Sequence, residues 1–178
     1  MPTFRVLSQG SSIETEVRSS LHPIHGETRE LRGEVWGEFD SEGAPQLDRP
    51  HGGRFELPVK SIRSGNRLND MEMQRRAEAD RYPTIAFEAT RAWSQDGRYR
   101  VSVAVTARGQ TRTIDEEFTL RREGRSVVLE GEHTFDMRDF GMNPPRILTL
   151  RVEPEVRVKV RVVAEAPHET TGDQEARA

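Results

Sequence analysis

An all-β fold, an antiparallel barrel carrying one short helical insertion, is what this sequence predicts, and three observations predict it. Apolar residues recur with a period of two over most of the chain, turn-forming residues separate the alternating runs, and a single stretch departs from the pattern. That period puts one face of an extended segment inward and the other in water. Short links imply antiparallel neighbours, and so many strands from one chain curl into a barrel or sandwich.

Taken in order, the alternation starts in Ile13-Glu14-Thr15-Glu16-Val17-Arg18 and recurs less cleanly from Val35 to Phe39, before the turn Asp40-Ser41-Glu42-Gly43. It returns in Phe55-Glu56-Leu57-Pro58-Val59-Lys60 and in Ile85-Ala86-Phe87-Glu88. After Gln95-Asp96-Gly97 comes the clearest run, in which Tyr99, Val101, Val103 and Val105 alternate with Arg100, Ser102, Ala104 and Thr106. Thr113 to Leu120, Val127 to Phe135 after Arg122-Glu123-Gly124, Ile147 to Val152, and Val156 to Val162 complete roughly eight to ten strands.

The exception is Asn66 to Arg81, NRLNDMEMQRRAEADR, which has no β-branched residue, is rich in helix formers, and ends at Tyr82-Pro83. Proline disfavours helix in the residue before it. A short helix capped by Ser64 or Asn66 is expected there. It should cover one opening of the barrel and pack through Leu68, Met71, Met73 and Tyr82. Residues 1–163 are expected to form the barrel domain. Residues 164–178, without periodicity or large apolar groups, are expected to form a disordered acidic tail.

Composition narrows the function. The 178 residues are 33% apolar and 32% charged, so nearly every hydrophobic side chain must face inward to make a core. A net charge of −3 and a pI near 6.0, with Arg interleaved among Glu and Asp, argue against nucleic acid as a partner. With no cysteine there is no disulfide, zinc-thiolate or thiol nucleophile. The opening MPTFRVLSQG lacks a basic n-region followed by an apolar h-region, and no segment approaches the roughly 20 apolar residues of a membrane span. The expectation is a cytoplasmic protein with no integral membrane segment.

His22 and His25 flank Pro23, which opposes the helix that would aim both at a metal, so they are read as a turn-bound pair in a loop, and no metal is expected. His133 shares strand parity with Val127, Leu129 and Phe135 and points inward; a satisfied buried histidine outweighs a catalytic base. Asp115 and Glu117 fall on the outer face, since Ile114 and Phe118 share the other parity with Glu116. No nucleophile elbow, phosphate loop or zinc-protease helix occurs, and no catalytic residue or cofactor is assigned. What remains is the interior. Its expected lining is Val35, Phe39, Phe55, Leu57, Ile85, Phe87, Val101, Val103, Val105, Phe118, Leu129, His133, Phe135, Leu148 and Val158, and it includes neither tryptophan. Val59, Leu120 and Val160 share the inward parity. Such a barrel either fills its interior or leaves a cavity for one elongated ligand, and periodicity alone does not choose.

Several motifs, in order, resemble the YceI family of lipocalin-like proteins. They are Ser61-Ile62-Arg63-Ser64-Gly65-Asn66, Leu68-Asn69-Asp70, Tyr82-Pro83-Thr84-Ile85-Ala86-Phe87-Glu88-Ala89-Thr90, Val105-Thr106-Ala107-Arg108-Gly109-Gln110-Thr111-Arg112, and Arg138-Asp139-Phe140-Gly141-Met142. The likeness spans about residues 3 to 163. The chain departs from the family after the helix, where Arg76-Ala77-Glu78-Ala79-Asp80 stands in place of paired phenylalanines. Physically, Gly109 supplies the positive φ of a tight hairpin, Thr106 and Thr111 bond backbone groups across it, and Arg108 and Arg112 stay wet or pair with acids. Gly141 ends the Phe140 turn.

The resemblance implies a lipocalin-like barrel whose apolar tunnel carries a long isoprenoid or other lipid chain without catalysis. The partner is then a hydrophobic small molecule, with room left for a homodimer. Two rivals stand beside it. One is a barrel enzyme using His133 or Asp136 as acid or base, and the other is a closed barrel serving as an interaction scaffold.

Overall fold

The computed structural model describes residues 1–147 and 149–167. Leu148 and residues 168–178 of the expected tail lie outside the described residues. The strands are β1 (Thr3–Ser19), β2 (Ile24–Thr28), β3 (Arg32–Trp36), β4 (Gly52–Pro58), β5 (Thr84–Gln95), β6 (Arg98–Ala107), β7 (Gln110–Glu123), β8 (Ser126–Asp136), β9 (Arg146–Ile147) and β10 (Leu150–Glu165). Their order in the sheet is β2-β1-β3-β4-β5-β6-β7-β8-β10-β9, and antiparallel pairing of β1 with β10 closes it into a barrel. The wall comprises β1, β3 to β8 and β10. Along one edge of β1, β3 pairs with Thr3 to Arg5 and β2 with Ile13 to Val17.

The uninterrupted alternation of β6 produces the uninterrupted ladder from Tyr99↔Phe118 to Ala107↔Gln110. Elsewhere the strands change phase. β1 breaks its pairing with β10 between Leu7 and Ser12, where Gly10 has φ 87°, so Phe4 and Val6 face inward before the break and Ser11 and Ile13 after it. Buried Ser11 bridges the gap: its hydroxyl accepts from the Val163 amide at 2.9 Å. β5 carries a bulge between Ala89 and Arg91, which puts Ala92 opposite Val101. Bulges of this kind re-aim every side chain beyond them.

Several expected boundaries move. Phe39 lies beyond β3 and meets Pro45 in an isolated bridge. The run Ile147 to Val152 divides into the end of β9 and the start of β10, which pair with each other. His25 sits on β2 instead of in a loop, while His22 stays in the exposed turn before it. β10 continues through Ala164 and Glu165, so the ordered barrel passes the expected boundary at residue 163. Ala164 is fully buried, paired with Val6 on one side and Val127 on the other.

The insertion is α1 (Arg67–Arg76), capped by Asn66, whose side chain accepts from the Leu68 and Asn69 amides. Its rotation differs from expectation. Leu68 and Met71 face outward, at 72% and 54% exposure, and the buried residue is Asp70. The cause is local: Asp70 Oδ1 accepts from the Ser64 amide at 2.8 Å and from its hydroxyl at 2.6 Å, which turns that side of the helix toward the barrel. Val59, Ala77 and Ala79 form a small separate cluster beneath the segment, so Val59 is buried there and not in the barrel lining.

Candidate functional site: two apolar chambers inside the barrel

The barrel is open inside. Two chambers lie along its length, one under the loop between β3 and β4 and one under α1, with cavity volumes of about 140 and 190 Å³. The loop-side chamber is lined by Val35, Phe39, Phe55, Val101, Val103, Phe118 and Leu129, together with His133. The helix-side chamber takes Leu57, Ile85 and Val105. Phe87, Phe135 and Val158 line both, and the chambers meet there. Thus every expected lining residue within the described part of the chain faces one chamber or the other.

Aromatic packing sets the shape of the junction. Phe87 stacks on Phe55 with ring centroids 4.7 Å apart, as expected for direct partners on β4 and β5. On β8, Phe135 lies between His133 and Phe140, at 4.6 and 6.0 Å.

Other lining residues were not expected. Trp36 lines the loop-side chamber, correcting the expectation that neither tryptophan would; its indole lies where a Cβ on Gly52 would sit, 2.5 Å from Cζ2. Pro45, Leu47 and His51 come from the loop, and Ala92 from beyond the β5 bulge. The helix-side chamber adds Ile24, Ile62, Met73, Met137, Phe140 and Met142. Most of these belong to loops, short turns or phase-shifted strands, where alternation carries no signal. For Gly52, the sequence signal was the absence of a side chain.

Polar groups at the helix-side mouth are internally paired. Glu72 accepts from Arg75 and Arg76, whose guanidinium groups hold its carboxyl below the ordinary range. In the loop-side chamber His133 Nδ1 lies 2.7 Å from Glu116 Oε2, so His133 points inward as its parity requires and has a partner. Asp136, the other candidate acid, lines neither chamber. It caps the 3-10 turn Met137–Phe140 and pairs with Arg138, which lowers its pKa. Among the described residues no His, Asp and Glu side chains converge as a metal site would require. No helix among them is long and apolar enough to cross a membrane.

The motifs quoted for the hairpin and turns come together at the helix end. Arg108 and Gly109 both have positive φ, 49° and 70°, as a type I′ hairpin turn requires. The Thr106 and Thr111 hydroxyls bond each other at 2.8 Å, where bonds to backbone were expected. They are cross-strand partners, which brings the hydroxyls together before either reaches the main chain.

A closed antiparallel barrel with an apolar interior and a helical lid segment is a lipocalin-like architecture. The YceI-like domain model matches residues 4–164, and the chain belongs to that family. Among solved structures it is similar to BcnA of Burkholderia cenocepacia, at 20% identity and a TM-score of 0.74, covering 89% of this chain and 99% of that one. It is similar also to a polyisoprenoid binding domain from Saccharophagus degradans implicated in plant cell wall breakdown, at 13% identity and a TM-score of 0.70, covering 94% and 100%. A YceI protein of Campylobacter jejuni aligns at 14% identity and a TM-score of 0.61, covering 80% and 84%. No curated protein matches the sequence.

Proposed function

We propose that this protein binds and carries a long hydrophobic molecule, an isoprenoid or another lipid chain, inside the barrel and leaves it chemically unchanged. The observation that carries the reading is the pair of apolar chambers meeting at Phe87, Phe135 and Val158. A filled barrel would have no such space. Family membership supports the reading, as does the polyisoprenoid-binding designation of the Saccharophagus degradans domain. Each methylene removed from water contributes about 0.8 kcal/mol, so about a dozen can outweigh an association cost of about 4–15 kcal/mol only at the lower end of that range. Longer chains and a preformed site are therefore favoured.

The test is solvent extraction of the purified protein followed by mass spectrometry, with titration of the stripped protein by N-phenyl-1-naphthylamine, a fluorophore that brightens in apolar surroundings. A co-purified long-chain lipid and saturable fluorescence are expected. An extract without lipid, together with no fluorescence change, would leave a closed scaffold as the better description.

A further inference from the structure

The loop-side chamber contains a polar pair that the burial of a hydrocarbon does not use. The ladder between β7 and β8 runs from Glu123↔Ser126 to Phe118↔Gly131 and stops. Both strands continue past that point, β7 along β6 and β8 along β10. At the next inward positions stand Glu116 and His133, whose side chains meet at 2.7 Å where the backbone pairing has ended. Glu116 Oε1 accepts from the Glu117 amide at 3.1 Å. Each carboxylate oxygen therefore already has a donor, and the pair is held from both strands.

An ionised carboxylate only accepts, so Nδ1 of His133 carries the shared hydrogen, and a neutral imidazole keeps Nε2 as an acceptor. Along the inner face of β8 the ring has Phe135 against it on one side. On the other side is Gly131, which also lines the chamber and presents no side chain. The ring is thus walled by Phe135 on one flank, and the His133 side chain keeps 28% of its surface exposed.

Charge supplies a second, independent constraint. Among the carboxylate residues at this chamber, Glu116 points inward to His133, whereas Glu117 and Glu132 have the outward parity and pair with Arg98 and Arg157 outside the barrel; none of the described lining residues is Lys or Arg. An anionic head group would shed water beside the Glu116 carboxylate and gain no counter-charge from the described lining residues, an arrangement that low-polarity surroundings penalise.

We infer that the Glu116–His133 pair is the polar recognition site of the barrel, and that it selects a neutral long-chain ligand bearing a hydroxyl group over the corresponding ether or anion. The hydroxyl donates to His133 Nε2 while the chain lies along the apolar wall. This deepens the carrier reading and rests on it.

The experiment displaces N-phenyl-1-naphthylamine from the full-length, lipid-stripped protein with geranylgeraniol, its methyl ether and geranylgeranyl phosphate. The alcohol should compete at concentrations about tenfold lower than the ether, the scale of one net hydrogen bond, and the phosphate should be weaker than the alcohol. His133→Phe should bring alcohol and ether to parity. Glu116→Gln, which keeps the shape and frees the imidazole to hold its hydrogen on Nε2, should also shrink the preference and serves as the second variant if His133→Phe does not fold. Equal competition by alcohol and ether in the parent protein, a preference that survives both substitutions, or tightest binding of the phosphate would overturn the assignment while leaving an apolar carrier intact. If neither the fluorophore nor any of the three compounds binds, the carrier reading itself falls.

Discussion

Arg108, at the tip of the β6–β7 hairpin, donates from Nη1 to the carbonyl oxygen of Gly141 at 2.7 Å. Its Nη2 reaches Glu78, in the segment after α1, also at 2.7 Å. Beside it the Tyr82 ring lies so close to Gly109 that an added Cβ would sit 2.8 Å from Cε1. Motifs far apart in the chain therefore form one fastening. The hairpin, the post-helix segment and the turn at Gly141 are tied together at the helix end of the barrel, beside the chamber that α1 covers.

Arg108→Ala should lower stability by about 1–3 kcal/mol, because it removes charge-assisted hydrogen bonds to two separate segments. Arg108→Lys should recover only part of the loss, since a single ammonium lacks the planar fork that reaches both partners. Urea denaturation measures both. An unchanged midpoint for Arg108→Ala would show that the fastening contributes nothing to folding.

Gly109→Ala and Gly97→Ala form a matched pair. Both glycines have positive φ, 70° and 76°, but a Cβ at Gly97 would meet nothing within 4 Å whereas one at Gly109 would strike Tyr82. Both substitutions incur the backbone cost of that conformation, about 1 kcal/mol or somewhat more. Gly109→Ala should be the more destabilising by urea denaturation, and equal losses would show that Tyr82 moves aside freely.

What could be read in advance follows from where alternation is continuous. Val101, Val103 and Val105 on unbroken β6 face the chambers as their alternation requires, and so do Phe118 and His133. The bulge before Arg91 hid Ala92, and the break at Gly10 hid the inward turn of Ser11, because a single extra residue reverses parity. Leu68 and Met71 face outward despite their hydrophobicity, because the buried Asp70–Ser64 bonds set the helix's rotation. The Glu116–His133 contact was visible only as two separate inward parities. Bringing them together required the register of β7 and β8, which the sequence does not state.

Val103→Trp and Ser102→Trp test the chamber from one strand. Val103 lines the loop-side chamber, while the hydroxyl of Ser102, on the opposite face, bonds Asp115. Overpacking a filled core costs about 1–3 kcal/mol. Here the indole has ligand space to enter, so Val103→Trp should keep most of its stability and lose fluorophore binding, while Ser102→Trp should keep both. Marked destabilisation of Val103→Trp, with no ligand bound by the parent, would mean that the interior is effectively full.

Asp136→Asn should show a pH-dependent loss. The Arg138 side chain, and then its backbone amide, hold the Asp136 carboxyl below the ordinary range. A depressed folded pKa gives stability that is present above the unfolded pKa, near about 3.9, and is lost as pH falls through the folded value. The parent should therefore melt higher than Asp136→Asn at neutral pH, and the gap should close on acidification. A gap that persists unchanged at low pH would assign the effect to the turn's shape and not to the ion pair.

The junction of the chambers sets a limit on ligand length. Phe87 lines both chambers, braced by Phe55 at 4.7 Å, so Phe87→Trp places extra bulk where a chain must pass from one to the other. With a homologous series of linear alcohols displacing N-phenyl-1-naphthylamine, each added methylene should tighten binding to the parent until the chain fills both chambers, by up to about 0.8 kcal/mol or roughly fourfold per step. In Phe87→Trp the gain should stop at a shorter chain, while the shortest members of the series bind as they do to the parent. Chains that stop short of the junction never meet residue 87, so a uniform weakening at every length would point instead to general distortion of the wall. An identical plateau in both proteins would show that ligands occupy a single chamber and that the junction is not a passage.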